Sequence, residues 1–285
     1  MNSPNLPSDL VARLAAEALA EDVGSGDITT SAVVPPGLLA RGTFIAREEM
    51  IVCGLPLARA IFAALDPAAI WREMRTEGDA AKPGDLLAEV EGAAPAILTG
   101  ERSALNFLQR LSGIATEASK AVKEVEGTGA VILDTRKTTP TLRAVEKYAV
   151  AVGGGQNHRF GLADAVLIKD NHVALAGGVA AAFERAVVAG HPADAIEIEV
   201  DTLEGVREAL GAGARRLLLD NFTPTAVAEA VRTIAGRAIV EVSGGLRPGL
   251  LRAYAEAGAD SLSLGSLTHS ARAVDISLEV APLGS

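Results

Sequence analysis

The chain has 285 residues, 49% of them apolar, and a formal net charge of −10. That length buries a sizeable core in one large domain or two modest ones, and that acidity excludes a general role on nucleic-acid or membrane surfaces, which need an excess of Lys and Arg. The only cysteine, Cys53, excludes an intrachain disulfide and a multi-cysteine zinc site, and among Ile51, Val52 and Leu55 it reads as core.

No apolar run approaches the roughly 20 residues that span a bilayer, and the opening MNSPNLPSDL lacks the charged and apolar parts of a signal peptide, so a cytoplasmic protein is expected. Leu10, Val11, Leu14, Ala18 and Leu19 recur at helical spacing, which predicts an amphipathic helix after Pro7 and Ser8 that ends near Gly24. GSGDITT follows. Residues 40–52 and 70–90 alternate loosely in polarity, with turn signals at Glu77-Gly78-Asp79 and Lys82-Pro83-Gly84-Asp85, and predict a small, mostly antiparallel sheet. From Ala94 to about Val125, residues such as Ile97, Leu105, Leu108, Leu111, Ile114 and Val122 share one face of a longer helix. Gly113 inside it costs about 1 kcal/mol relative to Ala, which marks close packing or a break.

After Ala130 the texture changes to short apolar runs alternating with amphipathic segments. Strand candidates end near Asp134, Lys169, Glu199, Asp220, Ser243 and Gly265, and their spacing settles to about 20 residues, as βα units require. The fold class expected is α/β: an open or incomplete parallel α/β barrel of six to seven strands, because the region is shorter than the roughly 250 residues of a full eight-unit barrel. The domains expected are an N-terminal α+β, sandwich-like domain over residues 1–112, with the option that the last C-terminal segment packs back on it, and a barrel over residues 113–285.

In such folds ligands bind at the carboxyl ends of the strands. Thr135, Arg136 and Lys137 follow the first apolar run, Lys169 follows the second, and a Gly153-Gly154-Gly155 turn leads to His158 and Arg159; Arg143 and Lys147 lie in the same cationic stretch. Four cations at strand ends together are hard to read as mere solvated surface, so the stretch is expected to hold anions. Glu197 and Glu199 alternate within Ile196 to Val200 and so point to one side of their strand, where carboxylates need cations, metal or hydroxyls. Glu199 is nearer the carboxyl end, and Asp220 ends the next run. Glu241 and Ser243 run into Gly244-Gly245, and Leu264-Gly265-Ser266 follows the last strand. Both glycine turns can present N–H groups to a phosphate, ordinary tight turns being the bland reading. His172 is expected to orient Lys169 or cap the next segment, His191 to sit in a loop, and His269 to be structural. No HxxxH or HxH pairing suggests a catalytic zinc.

DTRKTTP, GGGQNHR and LIKDNH, in that order and spacing, together with TGERSALNFLQRLSGIAT, resemble the signature of the quinolinate phosphoribosyltransferases, and the likeness runs from GDITT to DISL. The resemblance implies a transferase of de novo NAD biosynthesis that joins quinolinate to 5-phosphoribosyl 1-pyrophosphate with decarboxylation. Mg²⁺ is expected with the pyrophosphate, held through Glu199 and Asp220, and no tightly bound organic cofactor. Lys137, Lys169, Glu199 and Asp220 are the expected catalytic groups. The remaining substrate contacts are expected from Thr135, Arg136, His158, Arg159, Ser243, Gly244, Gly245, Leu264, Gly265 and Ser266. The resemblance alone adds Arg102, reaching across the interface of a homodimer with shared active sites. One departure is Thr141, where the family usually has Gly. The alternatives are a molybdenum-transport-type sister protein, a nicotinate phosphoribosyltransferase that does not decarboxylate, and a non-catalytic binder of phosphorylated metabolites; Lys169 in LIKDNH and the full NHR favour the quinolinate enzyme.

Overall fold

The structure, a computed structural model, describes residues 5–284; residues 1–4 of the segment read for a leader lie outside the described residues. It divides into two compact units. One holds the residues up to Ser119 with Ala144–Gly154 and the residues from Ser270, the other Lys120–Arg143 and Gly155–His269. No helix among the described residues is long and apolar enough to cross a membrane.

The first unit opens with α1 (Ser8–Val23), which stops at Gly24, and α2 (Ile28–Val33). Asp27 of the GDITT segment caps α2 by accepting the Thr30 N–H at 2.9 Å. The strands β1 (Leu39–Ala46), β2 (Met50–Ile51), β3 (Ile70–Glu73), β4 (Ala80–Ala81) and β5 (Leu86–Ala93) follow, with α3 (Leu55–Leu65) inserted after β2. The last strand of the chain, β12 (Ile276–Pro282), runs antiparallel to β1 from Ala40↔Pro282 to Ala46↔Ile276, so the sheet order is β12-β1-β5-β3. The C-terminal strand is thus an edge strand of this sheet. The polarity pattern did not reveal α3, which buries Leu55, Leu57, Ala58, Ile61 and Phe62 and leaves Arg59, Ala63 and Ala64 exposed. Phe62 of α3 packs with Phe44 and Trp71, the ring centroids 5.7–6.0 Å apart. Cys53 is fully buried, and burial pushes its thiol pKa up.

The long helix α4 (Ala94–Glu124) is continuous. Gly113 marks close packing, not a break, since a Cβ there would lie 2.0 Å from the Arg272 carbonyl oxygen.

In the second unit, β6 (Val131–Leu133), β7 (Val166–Ile168), β8 (Ile196–Val200), β9 (Arg216–Asp220), β10 (Ile239–Ser243) and β11 (Ser261–Ser263) are all parallel, in the order β6-β11-β10-β9-β8-β7. That order is the chain order closed on itself: each strand from β7 to β11 neighbours its successor, and β11 returns to β6. The one seam lies between β6 and β7. There Gln156 bridges to Leu133, its N–H on the Ile132 carbonyl at 2.8 Å and its own carbonyl accepting the Asp134 N–H at 3.1 Å. Six strands and a single-residue seventh are the open barrel that the strand count suggests. Helices α5 (Arg143–Val152), α6 (Asp170–Ala176), α7 (Val179–Val188), α8 (Leu203–Gly211), α9 (Pro224–Ile234), α10 (Leu251–Glu256) and α11 (Ser266–His269) intervene in the chain, and all of α5 beyond Arg143 belongs to the first unit.

Candidate active site

The carboxyl ends of the six parallel strands surround a cavity of about 650 Å³. Its lining includes Thr135, Arg136, Lys137, His158, Arg159, Lys169, Glu199, Asp220, Ser243, Gly244, Gly245, Leu264, Gly265 and Ser266. Register accounts for the convergence: Ser243 pairs with Asp220 and Val200 with Leu219, so neighbouring strands end at one level. Arg102 is exposed on α4 in the first unit, whereas the lining belongs to the second.

The cationic part of the lining is strained electrostatically. Arg136 and Arg159 each carry a buried Nε with no hydrogen-bond partner, although Arg159 Nη1 donates to the Ala165 carbonyl at 3.0 Å. Burial first, and then the charge of Arg136, holds the Arg159 pKa below the usual guanidinium range. Two partly desolvated guanidiniums side by side suit a carboxylate that takes both in bidentate fashion. The other two cations of this stretch serve elsewhere. Arg143 donates to Thr138 Oγ1 at 3.1 Å and to the Phe160 carbonyl at 3.0 Å, lies over the Phe160 ring and so braces the loop that carries Lys137. Lys147 is buried in the first unit.

Opposite charge sits on β8 and β9. Glu199 accepts from Lys169 Nζ at 2.6 Å. Asp220 has its pKa raised, by burial first and then by the charge of Glu199, with Lys169 and Lys137 opposing. His172 Nδ1 accepts the Lys169 N–H at 2.9 Å and caps α6, the second of its two expected roles. The glycine turns are set by close approach. At Gly244, φ is 82° and a Cβ would fall 2.6 Å from Asp220 Oδ1. At Gly265 a Cβ would fall 2.8 Å from Lys137 Cδ, so the lysine stem crosses the turn. The Leu264 N–H is taken by the Leu133 carbonyl at 2.9 Å, which leaves the N–H groups of the neighbouring glycine turn as the donors on offer.

Sequence reasoning underrated what holds His158. Asp134, fully buried at the end of β6, accepts the His158 N–H at 2.8 Å and Asn157 Nδ2 at 2.6 Å. His158 Nε2 lies 3.2 Å from Glu197 Oε2 and 3.4 Å from Glu241 Oε1, and Ser263 Oγ donates to the same Glu241 oxygen. The signal was available for Glu241, which alternates with Ser243 as Glu197 does with Glu199. Hydrogen bonds to Glu197 and then Glu241 push the His158 pKa up to about 9, against the effect of burial. A 2.7 Å contact from the Arg159 N–H to Nδ1 asks instead for a singly protonated ring. Charge-assisted bonds to two buried carboxylates outweigh one bond from an adjacent backbone N–H, so the cation is favoured at neutral pH. In either state Nε2 carries a proton. The ligand atoms of His158, Glu197 and Glu241 lie within 4.8 Å of one another.

The profile described as "Quinolinate phosphoribosyl transferase, C-terminal domain" matches residues 114–279, and its N-terminal-domain counterpart matches residues 27–112. The Mycobacterium leprae protein named nicotinate-nucleotide pyrophosphorylase (carboxylating) is 44% identical over 269 residues, 92% of this chain and 94% of its own. The Arabidopsis thaliana protein of the same name, chloroplastic, is 40% identical over 282 residues, 92% of this chain and 80% of its own. The solved nicotinate-nucleotide pyrophosphorylase of Francisella tularensis superposes with a TM-score of 0.91 at 38% identity, covering 99% of both chains. Two profiles that together span most of the chain and relatives at about this identity over nearly its whole length make it a member of the quinolinate phosphoribosyl transferase family.

Proposed function

We propose that this chain transfers the phosphoribosyl group of 5-phosphoribosyl 1-pyrophosphate to quinolinate with decarboxylation, giving nicotinate mononucleotide, pyrophosphate and carbon dioxide for NAD biosynthesis. The observation that carries the reading is one cavity with three chemistries: the Arg136 and Arg159 guanidiniums, the Glu199 and Asp220 carboxylates, and the Gly244-Gly245 turn. The names of the relatives point to the same reaction. In this reading Arg136, Arg159 and His158 receive the two carboxylates of the acid. The turns at Gly244-Gly245 and Gly265-Ser266 take a phosphate, and Ser243 and Thr135 offer hydroxyls beside it.

As the ring nitrogen attacks the sugar C1 and pyrophosphate leaves, positive charge builds on the sugar, and Glu199 and Asp220 are placed to stabilise it. Lys169, paired to Glu199, and Lys137, whose stem crosses Gly265, balance the charge of the departing pyrophosphate. The quaternary nitrogen then stabilises the ring carbanion left by carbon dioxide, which takes up one proton from solvent to give nicotinate mononucleotide. The protein positions and neutralises, and supplies no nucleophile.

Mg²⁺ enters with the pyrophosphate as part of the substrate. Glu199 and Asp220 fit it: both are hard oxygen donors, and a cation relieves both the burial and the Glu199 charge that raise the Asp220 pKa. Bound there, the ion supplies charge neutralisation on the leaving group. The reading also includes a cytoplasmic homodimer in which Arg102 of one subunit reaches the other's site.

The test is a paired assay with Mg²⁺ and phosphoribosyl pyrophosphate, offering quinolinate or nicotinate, with nucleotide and carbon dioxide quantified. Equal amounts of nicotinate mononucleotide and carbon dioxide from quinolinate alone are expected. Product from nicotinate removes the two-carboxylate pocket, and inactivity with both favours the sister-protein or binding-protein reading.

A further inference from the structure

Glu197 and Glu241 are 4% and 1% exposed, yet Glu197 Oε1 and Glu241 Oε2 have no hydrogen-bond partner, and the second oxygen of each faces His158 Nε2. Two carboxylates in an apolar barrel core are costly to the fold, and hydroxyl-bearing or apolar residues would fill the same space at less cost. Their placement suggests a use. His158 and Glu241 line the catalytic cavity and also a second cavity of about 860 Å³; Glu197 lines only the second of the two, so it meets a ligand in the first only through His158 and is the cleaner probe of the pair.

We propose that Glu197 and Glu241 are positioning residues that grip the His158 ring and keep it cationic, so that it adds a fixed positive charge beside Arg136 and Arg159 where the substrate's carboxylates bind. The identity of that substrate rests on the function proposed above; the grip on the ring does not. The grip is mechanical as well as electrostatic. The backbone of His158 is fixed by Asp134, its ring by one carboxylate from β8 and one from β10, and its orientation sets where the next residue, Arg159, leaves the chain. The charged groups facing the residue are thus Glu197, Glu241, Asp134 and the adjoining Arg159. Cationic His158 contributes below its raised pKa and is lost as pH rises through it, so anion binding weakens on the alkaline side.

The test is a histidine-selective ¹⁵N titration of the full chain, which has four histidines, on the wild type, Glu241→Gln and Glu197→Gln, with His158 assigned by His158→Asn. Either glutamine is expected to lower the His158 midpoint by about one unit or more and kcat/KM for quinolinate by about tenfold, the alkaline limb moving with the midpoint. In the His158→Asn background neither glutamine is expected to reduce kcat/KM further. An unmoved midpoint in a variant with wild-type circular dichroism overturns the proposal, as does an equal glutamine cost in the His158→Asn background. If Glu241→Gln fails to fold, Glu197→Gln on a separate strand decides. Wild-type inactivity toward quinolinate overturns the proposed function, and the titration alone then decides this inference.

Discussion

Two carboxylate settings in this molecule, one half-buried and one buried, have opposite characters. In the first unit Glu77 is saturated: its oxygens accept the Gly54 N–H at 2.9 and 3.0 Å, the Leu55 N–H at 2.8 Å and the Tyr148 hydroxyl at 2.7 Å. It caps the start of α3, and its charge, after burial, holds the Tyr148 phenol above its usual range. In the second unit Glu197, Glu241, Arg136 and Arg159 each keep a buried atom without a partner, against Arg75 Nε alone in the first among the described residues. The first set of charges is committed to the fold, and the second is held at a cost for something that arrives. Substitutions in the two regions should therefore separate stability from activity.

The largest effect is expected at Lys137. Its side chain is exposed, so Lys137→Ala leaves thermal unfolding unchanged while kcat falls by about 10²–10³, the loss typical of one preorganised charge-stabilising group. Near-normal turnover in that variant removes Lys137 from the chemistry. The mirror case is Glu77→Ala, which strips the acceptor from two backbone N–H groups and a tyrosine. Denaturant unfolding should show a loss of about 2–3 kcal/mol, with activity per folded molecule preserved. If Glu77→Ala instead lowers kcat in a fully folded protein, the contrast between the units fails.

Inside the second unit, Asp220→Asn separates the cost of a charge from its use. The folded pKa of Asp220 lies above that of the unfolded chain, so the carboxyl favours folding only at pH values below the unfolded value, and that benefit is lost as pH rises through the folded one. At neutral pH the ionised group is a net cost. Asp220→Asn should then raise Tm at pH 7, with the gain vanishing in acid, while turnover drops by about tenfold or more. A lower Tm at pH 7 would mean that Lys169 and Lys137 outweigh burial and the repulsion from Glu199.

The ends of the parallel strands were legible in the sequence because each apolar run stops at a polar or glycine residue, and period-two alternation put Glu197 and Glu199 on one face. The partners across the barrel were not. Nothing in the spacing says that β8 and β10 bring Glu197 and Glu241 to one histidine, since that depends on the closure of the sheet. For the same reason Arg143 and Lys147 looked like two more anion ligands, whereas Arg143 braces Thr138 and Phe160 and Lys147 is buried in the other unit. Helix α3 was hidden because its exposed face is made largely of Ala, with Arg59 the one charged residue in it, so little polarity marks the helical period.

The smallest expected effect concerns Thr141. Thr139 to Leu142 form a turn closed by the Leu142 N–H on the Thr139 carbonyl at 3.1 Å, with Pro140 second and Thr141 third at φ 69°. Proline followed by a positive φ is the pattern of a type II turn, whose third position favours glycine. A β-branched residue in the left-handed region costs about 1–2 kcal/mol, and part of what Gly recovers is lost to the larger freedom of its unfolded chain. Thr141→Gly should therefore stabilise by about 1 kcal/mol in denaturant unfolding. Because Thr141 keeps the glycine conformation and Arg143 braces the loop from Thr138 to Phe160, kcat/KM should stay within twofold of wild type. A change larger than that would mean the turn itself, and not the arginine brace, sets where Lys137 enters the cavity.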